Sequence, residues 1–142
     1  MGFQTTFNAV FNAVKALLVA DSTFKDVQLG TQFRLGKLPL CYISPGETTV
    51  SPAGRVGCKN FQLEMTFEVY VLVRETEPTD IVGEVQTPLS AVLDIIYANP
   101  TLSGTVEDCM PVFHSPGEIR TPDKLYYGGV VRCVARLFYS PA

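Results

Sequence analysis

The side chains of this chain best suited to take part in a reaction are four cysteines and a single histidine, His114. A thiol that is activated by an imidazole is a nucleophile for acyl transfer, so His114 paired with a cysteine would indicate that chemistry. His114 lies in a proline-rich strand end, however, where a surface position is expected. A small enzyme or ligand-binding domain that uses His114 and a cysteine is kept as an alternative.

The spacing of the cysteines gives no sign of a metal site. They are Cys41, Cys58, Cys109 and Cys133, and each lies in or beside an apolar, strand-like run. Zinc sites in proteins use ligands at close spacing, such as a CxxC pair, and none is present. We therefore expect buried free thiols in a reducing compartment rather than disulfides, and neither a metal nor a cofactor.

Glu64 and Glu68 are the next candidates, as a carboxylate pair for acid–base catalysis. Residues four apart in a strand share one face, and Arg132 and Arg136 have the same spacing with the opposite charge. If their strands are neighbours, each Glu–Arg pair contributes about 0.2–1 kcal/mol. The sequence also lacks a phosphate loop, a dinucleotide fingerprint, a nucleophile elbow and an HExxH motif. We therefore predict structural carboxylates in a protein that is not an enzyme.

Composition favours a protein that works through its surface. The 142 residues are 46% hydrophobic and only 18% charged, with a net charge of −3. One domain over residues 1–142 is expected, and a low charge density is typical of chains that bury surface in an oligomer. The lysines and arginines are dispersed, which disfavours tight binding to nucleic acid. No apolar run approaches the roughly 20 residues of a membrane-spanning helix.

Two long segments alternate between apolar and polar residues, as strands do when one face meets the core. In Phe61–Arg74 the apolar face comprises Leu63, Met65, Phe67, Val69, Val71 and Val73. In Val130–Tyr139 it comprises Val131, Cys133, Ala135 and Leu137. Shorter strands are predicted at Val27–Leu35, Leu38–Ser44 and Thr105–His114.

Two amphipathic helices are predicted to cover the sheet. The first, capped by Thr5 or Thr6 and ending near Ala20, has apolar residues at helical spacing. The second has Thr87 as its cap and Pro88 at its first position, and Asn99-Pro100 ends it. One or two helical turns precede it between Asp80 and Val85. The expected fold class is α+β, a mostly antiparallel mixed β-sheet with two main helices packed on one face.

Two segments rich in proline and glycine, Ser44–Gly57 and Ser115–Asp123, are predicted as polar loops. The first is long for a hairpin connection and is either a partner-binding arm or a disordered tip. Together with the polar strand faces, the two loops supply the predicted interface. Its residues are Glu47, Thr48, Thr49, Arg55, Glu64, Glu68, Glu118, Arg120, Arg132 and Arg136.

Four local sequences, in chain order, carry a resemblance to a known family. They are FNAVFNAVKALLVADSTFKDV, EVYVLV, AVLDIIYANPTLSGTVEDC and GGVVRCVARLFYSP. The most specific part is a helix that ends in Asn-Pro, followed by Leu-x-Gly-x-Val and a strand. In these features and in element order, the chain resembles the tail terminator (tail completion) proteins of long-tailed bacteriophages.

The resemblance implies a structural virion protein that forms a hexameric ring on the tail tube, ends tail polymerisation and docks the head connector. Its implied partners are further copies of itself, the tail tube protein and the head–tail connector protein. DNA would pass through the ring without specific binding, and no membrane is involved. The implied location is the virion tail, assembled in the host cytoplasm. The alternative within phage assembly is another neck or head–tail connector component.

Overall fold

The fold is a five-stranded sheet with helices on one face, which confirms the predicted α+β class. A computed structural model describes residues 2–29, 37–52, 61–74, 81–120 and 124–139, except for the side chains of residues 81 and 82. The helices are α1 (Phe3–Ala20), α2 (Ile81–Glu84) and α3 (Gln86–Ala98). The strands are β1 (Asp26–Leu29), β2 (Leu40–Pro52), β3 (Phe61–Arg74), β4 (Asp108–Arg120) and β5 (Leu125–Tyr139). Their order across the sheet is β1-β2-β3-β5-β4, in which β1 runs parallel to β2 and the other neighbours are antiparallel.

The core lies between the sheet and the two longer helices. The predicted apolar face of β3 is buried from Leu63 to Val71, and its partners Val131 and Cys133 in β5 are fully buried as well. α1 contributes Val10, Phe11, Val14 and Leu18, while α3 contributes Leu89, Val92 and Ile96. Phe11 packs edge-on against Phe67, with ring centroids 6.0 Å apart. The period-two and period-3.6 patterns thus converge on one core, as amphipathic elements require.

β3 and β5 are neighbours, which is the condition under which their complementary charges can pair. The register pairs Glu64 with Arg136 and Glu68 with Arg132 across the centre of the sheet. Both pairs lie on the face away from the helices. The expected cross-strand pairing is confirmed, because each glutamate has an arginine directly opposite on the neighbouring strand.

Both predicted loops are wrong in the described residues, because strands continue through them. Ser44–Pro52 belongs to β2 and pairs with β3, while residues 53–60 lie outside the described part. A bulge between Pro45 and Thr48 absorbs the residues that signalled a turn. Gly46 is needed there, since a Cβ would lie 2.8 Å from the Thr66 carbonyl oxygen. Ser115–Arg120 likewise belongs to β4 and pairs with β5, and residues 121–123 are not described.

The remaining strand limits differ from the predicted ones for related reasons. The predicted strand Val27–Leu35 is observed as Asp26–Leu29, beyond which residues 30–36 are not described. β4 begins at Asp108 and passes Pro111 through a second bulge, between Pro111 and Phe113. β5 begins at Leu125, ahead of the predicted start at Val130, because Gly128 and Gly129 are part of the strand.

The predicted threonine caps are wrong at both helices. Gly2 is the N-cap of α1, and the Thr6 hydroxyl donates to the Gly2 carbonyl from within the first turn, at 3.3 Å. α3 begins at Gln86, directly after α2, so Thr87 lies inside the helix and its hydroxyl donates to the Gly83 carbonyl at 2.8 Å. The Leu89 N–H, which a Thr87 cap would bind, donates instead to the Val85 carbonyl at 3.3 Å. The predicted end of α3 at Asn99-Pro100 is confirmed.

The Leu-x-Gly-x-Val segment is a left-handed turn anchored in the core. Leu102, Ser103 and Gly104 have φ values of 45°, 59° and 85°. Leu102 is nevertheless fully buried, and Val106 is 7% exposed. Two apolar anchors therefore hold a backbone conformation that L-residues rarely adopt, and they direct the chain from α3 into β4.

Candidate interaction surface

The sheet face opposite the helices is here called the open face. In β3 it is formed by Gln62, Glu64, Thr66, Glu68, Tyr70 and Leu72. The corresponding β5 residues are Phe138, Arg136, Val134, Arg132, Val130 and Gly128. Strand alternation extends this face to Asp108, Met110, Phe113 and Ser115 in β4, and to Tyr42, Ser44, Thr49 and Ser51 in β2. No described helix packs against it.

Two ion pairs cross the middle of the open face. Arg132 Nη2 lies 3.8 Å from Glu68 Oε2, and Arg136 Nε lies 3.8 Å from Glu64 Oε2. The side chains of Glu64 and Arg136 are each about half exposed, so solvent screens their attraction. This ion pair therefore contributes well under about 1 kcal/mol to the free energy of unfolding. Their larger effect is to leave the centre of this face electrically balanced while keeping it strongly polar.

Large apolar side chains flank these ion pairs on the β4–β5 half of the face. Met110 is 49% exposed, Phe113 is 47% exposed and Phe138 is 60% exposed. The Arg132 guanidinium lies 5.2 Å above the Phe113 ring centroid, a cation–π contact. Aromatic residues, methionine and arginine are enriched in protein–protein interfaces, and all of them occur side by side here.

At one end the open face carries a small apolar cluster of its own. Leu40, Leu72 and Tyr126 are buried there, and the Tyr42 and Tyr70 rings stack with centroids 5.0 Å apart. Burial raises the pKa of both phenols, and the negative charge of Glu68 raises each further. A shallow groove of about 140 Å³ follows this cluster, between Tyr70, Val130 and the β4 segment from Ser115 to Ile119. The residues at this end of the face are therefore held in place by packing, whereas the ion-paired middle is accessible to solvent.

Prolines interrupt both sides of the sheet. β4 is an edge strand and contains Pro111 and Pro116. On the other side β1 pairs only with Leu40–Ile43, and the rest of β2, which no other described strand flanks there, contains Pro45 and Pro52. Proline supplies no N–H, and bulges bend an edge away from a flat template. These edges are poorly suited to strand addition, which leaves the open face as the stronger surface for association.

The predicted interface residues fall into separate places. Glu64, Glu68, Arg132, Arg136 and Thr49 are brought together on the open face. Thr48 pairs with Met65 on the helix side, and Glu47 is exposed within the β2 bulge. Glu118 and Arg120 are exposed near the end of β4, where alternation directs them away from the open face. Arg55 lies outside the described residues.

Sequence reasoning missed the apolar members of this surface. Phe138 was visible as a bulky residue at a polar position of an alternating strand. Met110 and Phe113 were hidden, because the bulge at Val112 shifts the alternation and puts both of them on the same face. Their pairing with Val134 and Arg132 places them there.

The groups that could perform nucleophilic chemistry are poorly placed for it. Cys41, Cys109 and Cys133 are buried free thiols, as predicted, and Cys58 lies outside the described residues. Burial, with a smaller effect from a nearby aspartate, raises the pKa of Cys41 and of Cys109 to about 12. Burial also raises the pKa of Cys133. Thiols that stay protonated at neutral pH are weak nucleophiles, while His114 is exposed on β4, as predicted.

Among the residues that the structure describes, no cluster of histidine, cysteine and acidic side chains has the form of a metal site. Within the same part of the chain, no helix combines the length and apolarity needed to cross a bilayer. In comparisons with known proteins, no family model and no curated protein matches this chain.

Proposed function

We propose that this chain is a structural virion protein that assembles into a hexameric ring on a phage tail tube. The ring ends tail polymerisation and provides the docking surface for the head connector. The observation that carries this proposal is the open face, a sheet surface with exposed Met110, Phe113 and Phe138 beside two balanced ion pairs. A surface of this kind suits association with other proteins, and the described residues hold no comparable constellation for catalysis.

The local sequences support the same proposal. In the resembled proteins a helix ending in Asn-Pro leads through Leu-x-Gly-x-Val into a strand, and here that segment is the left-handed turn anchored by Leu102 and Val106. The turn fixes how α3 and β4 meet. It therefore belongs to the scaffold that presents the surface and is not part of a reactive site.

Charge supports a ring through which DNA passes. The chain has a net charge of −3, and the central arginines of the open face are neutralised by glutamates. Phosphate binding depends on uncompensated lysines and arginines, so a ring of chains with this charge would let DNA pass without sticking. The proposed partners are further copies of the chain, the tail tube protein and the head–tail connector protein.

The proposal is tested by removing the protein and by isolating its assemblies. Deletion of the gene in the phage that carries it is expected to give overlong tails in negative-stain electron micrographs. Tails of normal length with detached heads would instead indicate the neck or connector alternative. Native mass spectrometry of the full chain with purified tail tubes should show a hexamer, and a chain that stays monomeric with tubes present would contradict the ring.

A matched pair of variants separates the open face from the rest of the surface. Arg132→Glu places an acid directly opposite Glu68 and should abolish binding to tail tubes in a co-sedimentation assay. Glu118→Arg changes charge at an exposed β4 position that alternation directs away from the open face, and should leave binding intact. Equal loss of binding in both variants would show that the open face is not the specific contact.

A further inference from the structure

The area of the open face is close to the area that one protein partner buries in an interface. Its four long strands, about 4.8 Å apart and about ten residues of 3.3 Å in length, span roughly 600 Å² in projection. Protruding side chains make the accessible area larger than this projection. A stable interface buries about 800 Å² on each partner. The whole face, and not only its apolar patch, is therefore of a suitable size for one flat occupant.

The charges on this face form a pattern that is complementary to itself. Along the strands they alternate in rows: Glu64 beside Arg136, then Thr66 beside Val134, then Glu68 beside Arg132. Both glutamates lie in β3 and both arginines lie in β5, while Asp108 lies beside Arg136 in β4. A rotation of 180° about a line between these strands and parallel to them exchanges the two columns and keeps the rows.

That rotation brings unlike charges together. A second copy laid face to face would place its Glu64 over Arg136 of the first, and its Arg132 over Glu68. A two-fold axis perpendicular to the strands would instead place Glu64 over Glu68 of the other copy, and arginine over arginine. Packed sheets cross at about 30°. Because these four residues lie near the centre of the interface, that rotation shifts each one by only a few ångströms relative to its partner. Long arginine side chains span that offset.

The sizes of the side chains follow the same symmetry. In the rows of Met110 and Phe113, β4 carries a bulky side chain, whereas β2 carries Ser44 or the bulge that contains Gly46. The rotation sets Phe113 over Ser44, Met110 over the bulge that contains Gly46, and Val134 over Thr66. Bulky residues then face recesses, as the interdigitated core of a sheet sandwich requires.

We propose that two copies of this chain associate through their open faces, related by a two-fold axis that runs parallel to the strands between β3 and β5. The interface is isologous, so each copy contributes the same residues. This dimer does not depend on the proposed role in tails. Where that role holds, the dimer covers the surface that tail partners use, and it dissociates before they bind.

The test uses two charge-reversed variants of the full-length chain and sedimentation velocity. The wild-type chain should sediment with twice its monomer mass of 15.5 kDa. The two Glu64–Arg136 pairs of the dimer meet in one row, where Arg136→Glu puts acids at all four positions and Glu64→Arg puts bases at all four. Each variant alone should be monomeric, with at least a tenfold loss of affinity, which is the scale of close interfacial charge pairs.

An equimolar mixture of the two variants provides the decisive result. In the mixed dimer each acid at positions 64 and 136 faces a base again, so the mass should return to that of a dimer. The pairs within each chain remain broken, so recovery reports contact between chains and not repair of a subunit. Circular dichroism should show that both variants fold, since the two side chains are each about half exposed.

Three results would overturn the dimer. They are a wild-type chain that stays monomeric at about 100 μM, far above the Kd of ordinary specific complexes, a mixture that does not re-associate, or a hexamer that forms without a dimer. The last result would still agree with the ring, so failure of the dimer and failure of the tail role are distinguishable. Glu118→Arg is the control and should dimerise as the wild type does.

Discussion

Glu68 and Arg132 lie directly opposite each other in β3 and β5, with 3.8 Å between Glu68 Oε2 and Arg132 Nη2. The same guanidinium lies over the Phe113 ring. Glu68 also accepts a hydrogen bond from Tyr70, which raises the pKa of that phenol in addition to the effects of burial and of the Glu68 charge. One ion pair thus joins the accessible half of the open face to its packed end.

The coupling between Glu68 and Arg132 should be small and dependent on salt. A double-mutant cycle with Glu68→Gln and Arg132→Gln should give about 0.2–1 kcal/mol in urea unfolding at low ionic strength, because both side chains contact solvent. In 1 M salt the coupling should approach zero. A coupling above about 2 kcal/mol that persists in salt would mean that the pair is desolvated.

The two faces of the sheet should respond differently to loss of an aromatic ring. Phe67→Ala should lower the free energy of unfolding by about 3–5 kcal/mol, since Phe67 is fully buried against Phe11. Phe138→Ala is the matched control on the open face and should change it by about 0.5 kcal/mol or less. Both are measured by chemical denaturation of dilute, monomeric protein, and similar losses would contradict the assignment of the faces.

Glycine is required at position 129 of β5 because α3 and β4 both approach it closely. A Cβ at this position would lie 2.6 Å from the Ser115 carbonyl oxygen and 2.7 Å from Leu89 Cδ1. Gly129→Ala should therefore destabilise the fold by about 1–3 kcal/mol, as overpacking does. Gly117→Ala is the control, because nothing lies within 4 Å of a Cβ there. Thermal unfolding compares the two, and an equal change in Tm would rule out the packing explanation.

Gly104 tests the backbone of the left-handed turn without any change in packing. Its φ is 85°, yet a Cβ would meet nothing within 4 Å. Gly104→Ala should cost about 1–2 kcal/mol through conformation alone. Gly104→Asn should cost less, because asparagine tolerates this region better. If alanine and asparagine were equally well tolerated in urea unfolding, the turn would not be held in this conformation.

The buried thiols predict loss of stability in alkali. Cys41 and Cys109 keep their protons to a pKa of about 12 when folded, whereas their reference value of 9.0 applies when unfolded. Their contribution is complete below pH 9 and declines as the pH rises towards 12, since the unfolded chain then binds fewer protons. The raised pKa of Tyr42 and of Tyr70 acts in the same direction above pH 10.

A cysteine variant isolates the thiol contribution. In Cys41→Ala/Cys109→Ala, the free energy of unfolding should start lower, because packing is lost, but fall less steeply with pH. Urea denaturation between pH 8 and pH 10 measures this slope. An unchanged slope would mean that the thiols ionise equally easily in the folded and unfolded states.

Periodicity predicted the elements that form the core. The alternation in β3 and β5 and the helical spacing in α1 and α3 each leave one apolar face that only burial satisfies. The reversed charges of Glu64, Glu68, Arg132 and Arg136 fit the register in which β3 and β5 pair, although the sequence left open whether these strands are neighbours. These signals are local and repeated many times, so they survive in the sequence alone.

Proline and glycine misled the prediction where tertiary pairing outweighs local preference. Pro45 and Gly46 favour a turn, yet a bulge absorbs them and β2 continues to Pro52 along β3. The bulge at Val112 likewise moved Met110 and Phe113 to a face that simple alternation does not assign to both. A bulge adds one residue to one strand only, and nothing in that strand alone states where its partner lacks one.

The sequence by itself determined the α+β class, the buried stripes and the charge pairs, because amphipathic period and charge are properties of each segment. Only the tertiary structure decided that the charge pairs share a face with Met110, Phe113 and Phe138, and that no described helix covers this face. In the observed fold the strands lie in the order β1-β2-β3-β5-β4, and both long helices lie on one side of the sheet. That choice depends on how all the apolar faces can be buried at once, which no single segment contains.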